Sequence, residues 1–454
     1  LVLIDHAQAV QTTRQTTTSL TNVDIPSVSI ADTFFNTGEK YLIIASAQLD
    51  ANNNSDESGI TTLHGSTEFD GAEQFIEHAP GAIPKRNDYS YWTVWTAVAS
   101  EGIKMQFRAG GGGARVTGAD QVVLTAISLN DLTENTDWHF NENLTDTTLT
   151  TVFSTTNNAS VTFTPPTSGN DWLVLSRARI SSDPAGSNQL ISRFSRSGEA
   201  SFNTSTISQE REITGEFLVE SNMHVFNLGN TSNTFTQESR VDETNNADSR
   251  TDSAIFAINL SSFQDSSSSA TTTGVATLTT TNFGDNIETI NLTPSATRDV
   301  LALGYYISDT GTTSGEEARL QVDNTDSPAT QTSDAYQRND GWDAKDEHDF
   351  FHQTIINLDN TLHTFDIDAS STLSGPGVLN SSLVAFTLET AVPIPTETFL
   401  VNAILKASGD SGKCGAKVQS GTFSMTTSEA SDDVTIDAVV LADSFLVFQY
   451  RVDS

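Results

Sequence analysis

One apolar ribbon occurs three times in this chain, and its spacing restricts the fold more than any other feature. The copies are Tyr41-Leu42-Ile43-Ile44-Ala45-Ser46-Ala47, Trp172-Leu173-Val174-Leu175-Ser176-Arg177-Ala178 and Val300-Leu301-Ala302-Leu303-Gly304-Tyr305-Tyr306. A second ribbon recurs as Leu124-Thr125-Ala126-Ile127-Ser128-Leu129, Ile255-Phe256-Ala257-Ile258-Asn259-Leu260 and Leu383-Val384-Ala385-Phe386-Thr387-Leu388. In both series the second copy lies 131 residues after the first, and the third lies 128 after the second. A loop insertion inside one copy would have to be cancelled within that copy to keep the two series in step. Each copy is therefore a unit of nearly fixed length, the signature of a repeated architecture.

These ribbons are β-strands. Between them lie alternating segments, Ile103-Lys104-Met105-Gln106-Phe107, His224-Val225-Phe226-Asn227-Leu228 and His363-Thr364-Phe365-Asp366-Ile367. On this reading Met105, Phe226 and Phe365 correspond, at offsets of 121 and 139 residues, with the middle loops varying while the ends hold. Period-two alternation places one face against a core and the other in solvent. The near-continuous apolar runs read as strands covered on both faces or lying at a sandwich centre. No long stretch carries apolar residues at i, i+3, i+4 and i+7, while turn residues punctuate the chain about every 8 to 12 positions, as in sandwiches and jelly rolls.

The fold class expected is all-β: three tandem β-sandwich or jelly-roll-like domains plus a small C-terminal β segment. Residues 1–17 read as an arm that suits pairing with something outside its own domain, an intrachain edge being the alternative. The repeats are placed at 18–131, 148–261 and 275–390, each opening with a more polar strand at 20–30, 151–163 and 276–292. Ser266-Ser267-Ser268-Ser269 with Thr271-Thr272-Thr273 reads as a flexible linker, and Pro393 with Pro395 as a stiffer one. Residues 396–454 hold apolar runs at 399–405, 434–441 and 445–450, too few to close a strong core alone, and are expected to dock on the third repeat or a neighbouring subunit.

Composition narrows the partners. The 454 residues carry 22 Lys plus Arg against 58 Asp plus Glu, a formal net charge of -36, which repels nucleic acid. Such acidity serves solubility, or brings divalent cations between loops. Cys414 is the single cysteine, so no intrachain disulfide or multi-cysteine zinc site forms. No apolar run approaches the roughly 18 residues of a spanning helix, and Leu1-Val2-Leu3-Ile4 is followed at once by Asp5 and His6, without a basic n-region. No membrane insertion is expected.

No segment assembles a convincing active site. Gly409-Asp410-Ser411-Gly412 resembles a serine-protease motif, but Lys413 follows where a further glycine belongs, and a turn between strands accounts for it better. His348-Asp349-Phe350-Phe351-His352 spaces two histidines as a helical zinc motif would, with Asp349 in place of glutamate and on an expected strand, where i and i+4 stand about 13 Å apart. Asp340, Asp343, Asp346, Glu347 and Asp349 could offer oxygens to calcium but do not follow the EF-hand spacing; solvated loop charge is the simpler reading. Gly110-Gly111-Gly112-Gly113 lacks the Lys-Ser or Lys-Thr of a phosphate loop and reads as a hairpin tip. Tyr89, Tyr91, Trp92 and Trp95 could stack on sugars, with Trp342 a further exposed candidate, although Trp92 and Trp95 better suit core anchors. Sequons such as those at Asn143, Asn203 and Asn291 are expected by chance in so Ser- and Thr-rich a chain. The sequence therefore assigns no catalytic, cofactor-binding or metal residue and no cofactor, calcium being possible without a motif.

With its three copies of the apolar ribbons, the chain resembles structural proteins of tailed-bacteriophage virions, head-decoration and fibre subunits built from repeated β-sandwiches with Gly/Ser/Thr/Asn-rich loops. The resemblance covers about residues 18–390. It carries no diagnostic motif and transfers no functional residue. It implies a non-enzymatic structural subunit of a virion surface, a homo-oligomer that contacts other structural proteins. A cell-surface filament or surface-layer subunit, in which Leu1 to Val10 adds to a neighbour's sheet, shares this character. A carbohydrate-binding adhesin touching host glycans near Tyr91 or Trp342 is a further reading, and an enzyme, most plausibly a polysaccharide hydrolase, the last.

Overall fold

In the computed structural model the described residues are 2–51, 56–78, 85–110, 117–154, 156–182, 188–197, 210–211, 216–241, 249–271, 276–277, 285–309, 315–323, 325–326, 333–336, 347–371, 377–390, 402–405 and 415–418. Short apolar or alternating runs ended by turn residues become strands throughout, and the only helical pieces described are two short 3-10 turns at Asp32–Phe34 and Leu260–Ser262.

The first eight strands are β1 (His6–Gln11), β2 (Val23–Ile30), β3 (Lys40–Ala51), β4 (Asp56–His64), β5 (Gln74–His78), β6 (Lys85–Thr96), β7 (Ile103–Ala109) and β8 (Thr117–Ser128). They form two sheets, β1-β8-β3-β6 and β2-β7-β4-β5. This is a jelly-roll order, in which strands distant in sequence alternate across two facing sheets. The next eight are β9 (Trp138–Asn143), β10 (Ser160–Phe163), β11 (Asn170–Ser182), β12 (Asn188–Arg196), β13 (Glu210–Arg211), β14 (Glu216–Leu228), β15 (Asn233–Val241) and β16 (Ser249–Asn259). Their orders, β9-β16-β11-β14 and β10-β15-β12-β13, repeat the first pair. The last eight, β17 (Ser266–Thr271), β18 (Asp285–Leu292), β19 (Arg298–Asp309), β20 (Gly315–Val322), β21 (Ser333–Tyr336), β22 (Glu347–Leu358), β23 (His363–Ser371) and β24 (Gly377–Thr387), give β17-β24-β19-β22 and β18-β23-β20 with β21 paired to β20. All these pairings are antiparallel; β1-β8-β3-β6 and its two counterparts are the front sheets, and a single residue pair, Phe217 with Phe75, joins β5 to β14 at the edge of the second front sheet.

The two sequence ribbons are neighbours in every copy: Leu124 pairs with Ala45, Ile255 with Ser176 and Leu383 with Gly304. Alternation along β3 sends Tyr41, Ile43 and Ala45 inward, toward Met105 and Phe107 of the facing sheet. Leu42 and Ile44 point the other way, into a core shared with Leu173 and Leu175 of β11 and Leu301 and Leu303 of β19. Trp172 and Val174, and likewise Val300 and Ala302, fill their own sandwiches. Every front sheet is thus dry on both faces, which is why its strands are apolar at consecutive positions rather than alternate ones.

The sandwiches meet in a cycle. Arg177 of β11 reaches the Trp92 carbonyl on β6, Tyr305 of β19 donates to Asn222 on β14, and Gln353 of β22 donates to Ser46 on β3. Each time the sixth strand of one sandwich meets the third of the next, so the head-to-tail contacts close into a ring. Residues Leu1–Ala391 accordingly form one compact unit rather than a string of spacers.

Several expectations about boundaries are corrected. Residues 6–11 are no outward arm but the edge strand β1, paired with β8 from His6 against Ile127 to Gln11 against Val122. The Ser266 to Thr271 segment is strand β17 on β24, because its hydroxyl-bearing residues sit at a sheet edge where polar side chains are tolerated. The polar strands near residues 23, 160 and 285 are second, not first, in their copies. His224 to Leu228 belongs to β14; the counterpart of Met105 and Phe365 is Phe235 on β15, 130 residues from each. Two alternating strands lie in succession there, joined by residues 229–232, and the pattern by itself does not rank them. The unit Val392–Ser454 shows, among its described residues, one antiparallel pair, Asn402–Leu405 with Gly415–Val418. The remaining apolar runs of that segment lie outside the described residues.

A shared core predicts shared stability. Leu175→Ala, at a fully buried position of the common cluster, should cost about 3 kcal/mol. In urea melts followed by tryptophan fluorescence it should move one transition for all three sandwiches; separate transitions, with only one shifted, would contradict the common core.

Candidate functional site

The densest chemistry among the described residues lies where the first two sandwiches meet. Arg177 occupies the β11 position that Ser46 holds on β3 and Tyr305 on β19, two residues beyond Leu175 on the shared face. Its side chain is fully buried. Nη1 donates to the Trp92 carbonyl at 2.6 Å, Nη2 donates to Glu142 Oε1 and to Asp252 Oδ2, and the guanidinium lies 4.4 Å from the Tyr91 ring centroid. Burial opposes its charge, but the carboxylates of Asp252 and Glu142 and the Tyr91 hydroxyl hold the guanidinium above its ordinary range. Burial likewise pushes the Asp252 carboxyl up, to about 6, against the pull of Arg177.

The backbone beside this pair has no room for a side chain. Gly71 adopts φ +67°, and a Cβ there would stand 2.0 Å from Asp252 Oδ2. Both facts require glycine. Nearby, Glu73 of the first sandwich accepts from Arg108 of the same sandwich at 2.9 Å and from Arg179 of β11 at 3.3 Å. Arg108 and Arg179 lie over the Phe75 and Phe217 rings, at 4.3 and 3.7 Å. Arg250 is different: its guanidinium donates to the side chains of Ser154, Asn158 and Gln237 and to two backbone carbonyls, all neutral, and burial draws it down to about 10. It holds the connection before β10 in place.

The other two junctions rest on hydroxyls, amides and histidines, with Asp171 and Asp299 as their charged members. Between the second and third sandwiches, Ser382 Oγ lies 3.2 Å from His224 Nδ1 and Ser268 Oγ donates to Asp171 at 2.8 Å. Burial draws His224 down to about 4, and does the same to His352 on β22. These groups fasten sheets together.

The sequence candidates are scattered by this fold. Tyr89, Tyr91, Trp92 and Trp95 are all buried, so Tyr91 offers no exposed ring to a glycan: its hydroxyl donates to the Asp70 carbonyl, and the inward face of β6 packs it into the first core. His348 and His352 lie on strand β22, opposite Ser308 and Gly304, not on a zinc-binding helix. Glu347 and Asp349 are on the same strand, whereas Asp340, Asp343 and Asp346 lie outside the described residues, as do Trp342, Asn203, Gly111 to Gly113 and the Gly409 to Gly412 segment with Lys413 and Cys414. Gly110 follows β7. Asn143 and Asn291 bond the threonines Thr145 and Thr364. Among the described residues no group of three or more His, Cys, Asp or Glu could hold a metal ion, and no helix is long and apolar enough to cross a membrane.

Sequence reasoning overlooked Arg177, Asp252, Glu142 and Gly71. One signal was present: Arg177 interrupts a ribbon that is otherwise apolar or small, in a strand covered on both faces, where a charge requires a buried partner.

Two consequences are measurable. Arg177→Met leaves Asp252 buried without its cation and should destabilise the chain by about 3 to 5 kcal/mol in chemical denaturation, most of it recovered when Asp252→Leu is added. His224 stays neutral in the folded chain down to about pH 4, below the ordinary value near 6.5, so the unfolded chain binds the extra proton first. Stability present above pH 6.5 is lost as pH falls toward 4, by about 3 kcal/mol for this residue. His224→Gln should flatten that part of a pH-stability profile, and an unchanged slope would contradict the assignment.

No known family matches the chain, and no curated protein does. Among solved structures it is similar to N-glycanase F, at 10% identity over 55% of this chain and 95% of that one, with a TM-score of 0.25. It is also similar to a chain described under a triple jelly roll fold and turret assembly in an archaeal virus, at 11% identity over 84% and 89%, TM-score 0.19. A chain of Sulfolobus Turreted Icosahedral Virus matches at 12% identity over 83% and 91%, TM-score 0.17. At these scores none of the likenesses bears on chemistry.

Proposed function

We propose that the chain is a non-enzymatic structural subunit of a virion surface assembly, a decoration, fibre or tail-associated protein of the bacteriophage kind. The observation that carries this reading is the ring itself: three jelly-roll sandwiches closed on a common dry core, with the buried polar groups at their junctions occupied in holding sandwich to sandwich. Such a body is a rigid block without a disulfide, suited to bearing load at a particle surface. Its partners are other structural proteins of the particle and further copies of itself.

The strand ends support an outward role for one end of the ring. Ala51 is paired with both Lys85 and Thr117, Ser181 with Phe217 and Ser249, and Asp309 with Glu347 and Gly377. In all three sandwiches the sequence beyond these ends is rich in Gly, Ser, Thr, Asn and Asp, as in Gly110-Gly111-Gly112-Gly113 and Asp242-Glu243-Thr244-Asn245-Asn246-Ala247-Asp248. Segments of that composition tolerate change and carry recognition. The opposite end is made of short turns such as residues 229–232 and 359–362.

The filament reading loses its particular device, because residues 6–11 are engaged in their own sheet. Gradient-purified particles and envelopes from the source culture, labelled with gold-conjugated antibody to the chain, separate the readings. Gold on particle surfaces is expected; gold confined to cell envelopes would overturn the proposal in favour of a surface-layer or adhesin role.

A further inference from the structure

The ring closes differently at its third joint. Residues 129–137 run directly from β8 to β9, and residues 260–265 from β16 to β17, so the first two joints are each crossed by the chain. Beyond β24 the chain continues to residue 391 and onward, and nothing covalent leads back to β1. In place of a connection, Val2 to Ile4 lie antiparallel against Leu388 to Thr390. Ile4 N donates to the Leu388 carbonyl at 3.0 Å, Thr390 N donates to the Val2 carbonyl at 3.0 Å, and Leu3 faces Glu389. Ser128 N then donates to the Asp5 carbonyl at 2.8 Å, handing the strip over to the β1–β8 ladder.

The side chains repeat the pattern. Ile4 is buried in the shared core, where Leu132 and Phe263 of the two covalent connections also lie. His6 Nε2 stands 3.1 Å from Asp299 Oδ2 at the start of β19, and Gln8 Oε1 accepts from Ile355 N on β22 at 3.3 Å. We infer that Val2 to Gln8 is a strap that closes the ring, doing by hydrogen bonds and one buried isoleucine what residues 129–137 and 260–265 do by covalent chain.

The strap is lightly held. Val2 and Leu3 are exposed, and two backbone hydrogen bonds join it to Leu388 and Thr390, whereas β1 continues along six paired residues of β8. Short, solvent-facing hydrogen-bonded strips open at lower cost than the strands behind them. The seam between the third and first sandwiches is therefore the joint at which the ring opens first, freeing the β22 edge and the Leu42 and Leu303 faces while each sandwich stays folded. This inference concerns the ring alone and stands whether or not the chain belongs to a virion.

Hydrogen exchange measured by mass spectrometry on the full chain tests it, because β6, β14 and β22 report on the three joints separately. A chain lacking residues 1–5 should exchange about tenfold faster over β22, with β6 and β14 unchanged. Equal acceleration at all three strands, or none at β22, would overturn the inference. A second variant covers the case in which the truncated chain does not fold: Leu3→Cys with Glu389→Cys in a Cys414→Ser background, compared with itself oxidised and reduced. The oxidised form should show slower exchange over β22 than the reduced form, and identical exchange in the two forms would likewise reject the strap.

Discussion

Everything in this chain depends on front sheets that are buried on both faces. A sheet with one wet face needs apolar residues only at alternate positions; the β3, β11 and β19 strands are apolar at successive ones because their outer faces form the common core. Removing any one sandwich would expose the Leu173 and Leu175 face, or its equivalents, to water. At roughly 25 cal/mol per Å² of apolar surface, such exposure is not tolerated by a single domain of ordinary stability. The three sandwiches consequently support one another's outer faces, and the single cysteine is no handicap.

Closing three related bodies head to tail raises a problem of order, since like surfaces can pair in the wrong sequence. The junctions differ where the sandwiches are otherwise alike. At one equivalent position the chain carries Ser46, Arg177 and Tyr305, and each meets a partner suited to it: an amide, two carboxylates with a backbone carbonyl, and a second amide. A buried arginine docked against the wrong sandwich would lack Asp252 and Glu142, an error costing several kcal/mol. Buried polarity here specifies arrangement more than it adds stability.

The acidity of the chain has a related structural aspect. With 22 basic residues against 58 acidic ones, carboxylates hold cations in place at Lys40, Lys104, Arg108, Arg193, Arg298 and Arg319. The remaining acids leave copies that repel one another at low ionic strength, and salt at physiological concentration confines that repulsion to about 8 Å. Any contact between copies of so acidic a chain would then depend on short-range complementarity.

The sequence by itself determined the strand character and the threefold recurrence, because period, spacing and apolar runs are written locally along the chain; the pairing of the two ribbons came from the structure. It also carried in Arg177 an anomaly that passed unread, with partners 35 and 75 residues away in Glu142 and Asp252. It misplaced the Phe226 counterpart, and it read Ser266 to Thr271 as a linker, since a polar edge strand and a flexible connection share one composition. Tertiary structure alone decided that the repeats close into a ring instead of stringing out, that residues 6–11 stay with their own sheet, and that the Tyr91 ring is buried. The reason is physical: which face meets which depends on contacts between residues 83, 85 and 307 positions apart, and no local pattern of side chains records how a closed cycle brings them together.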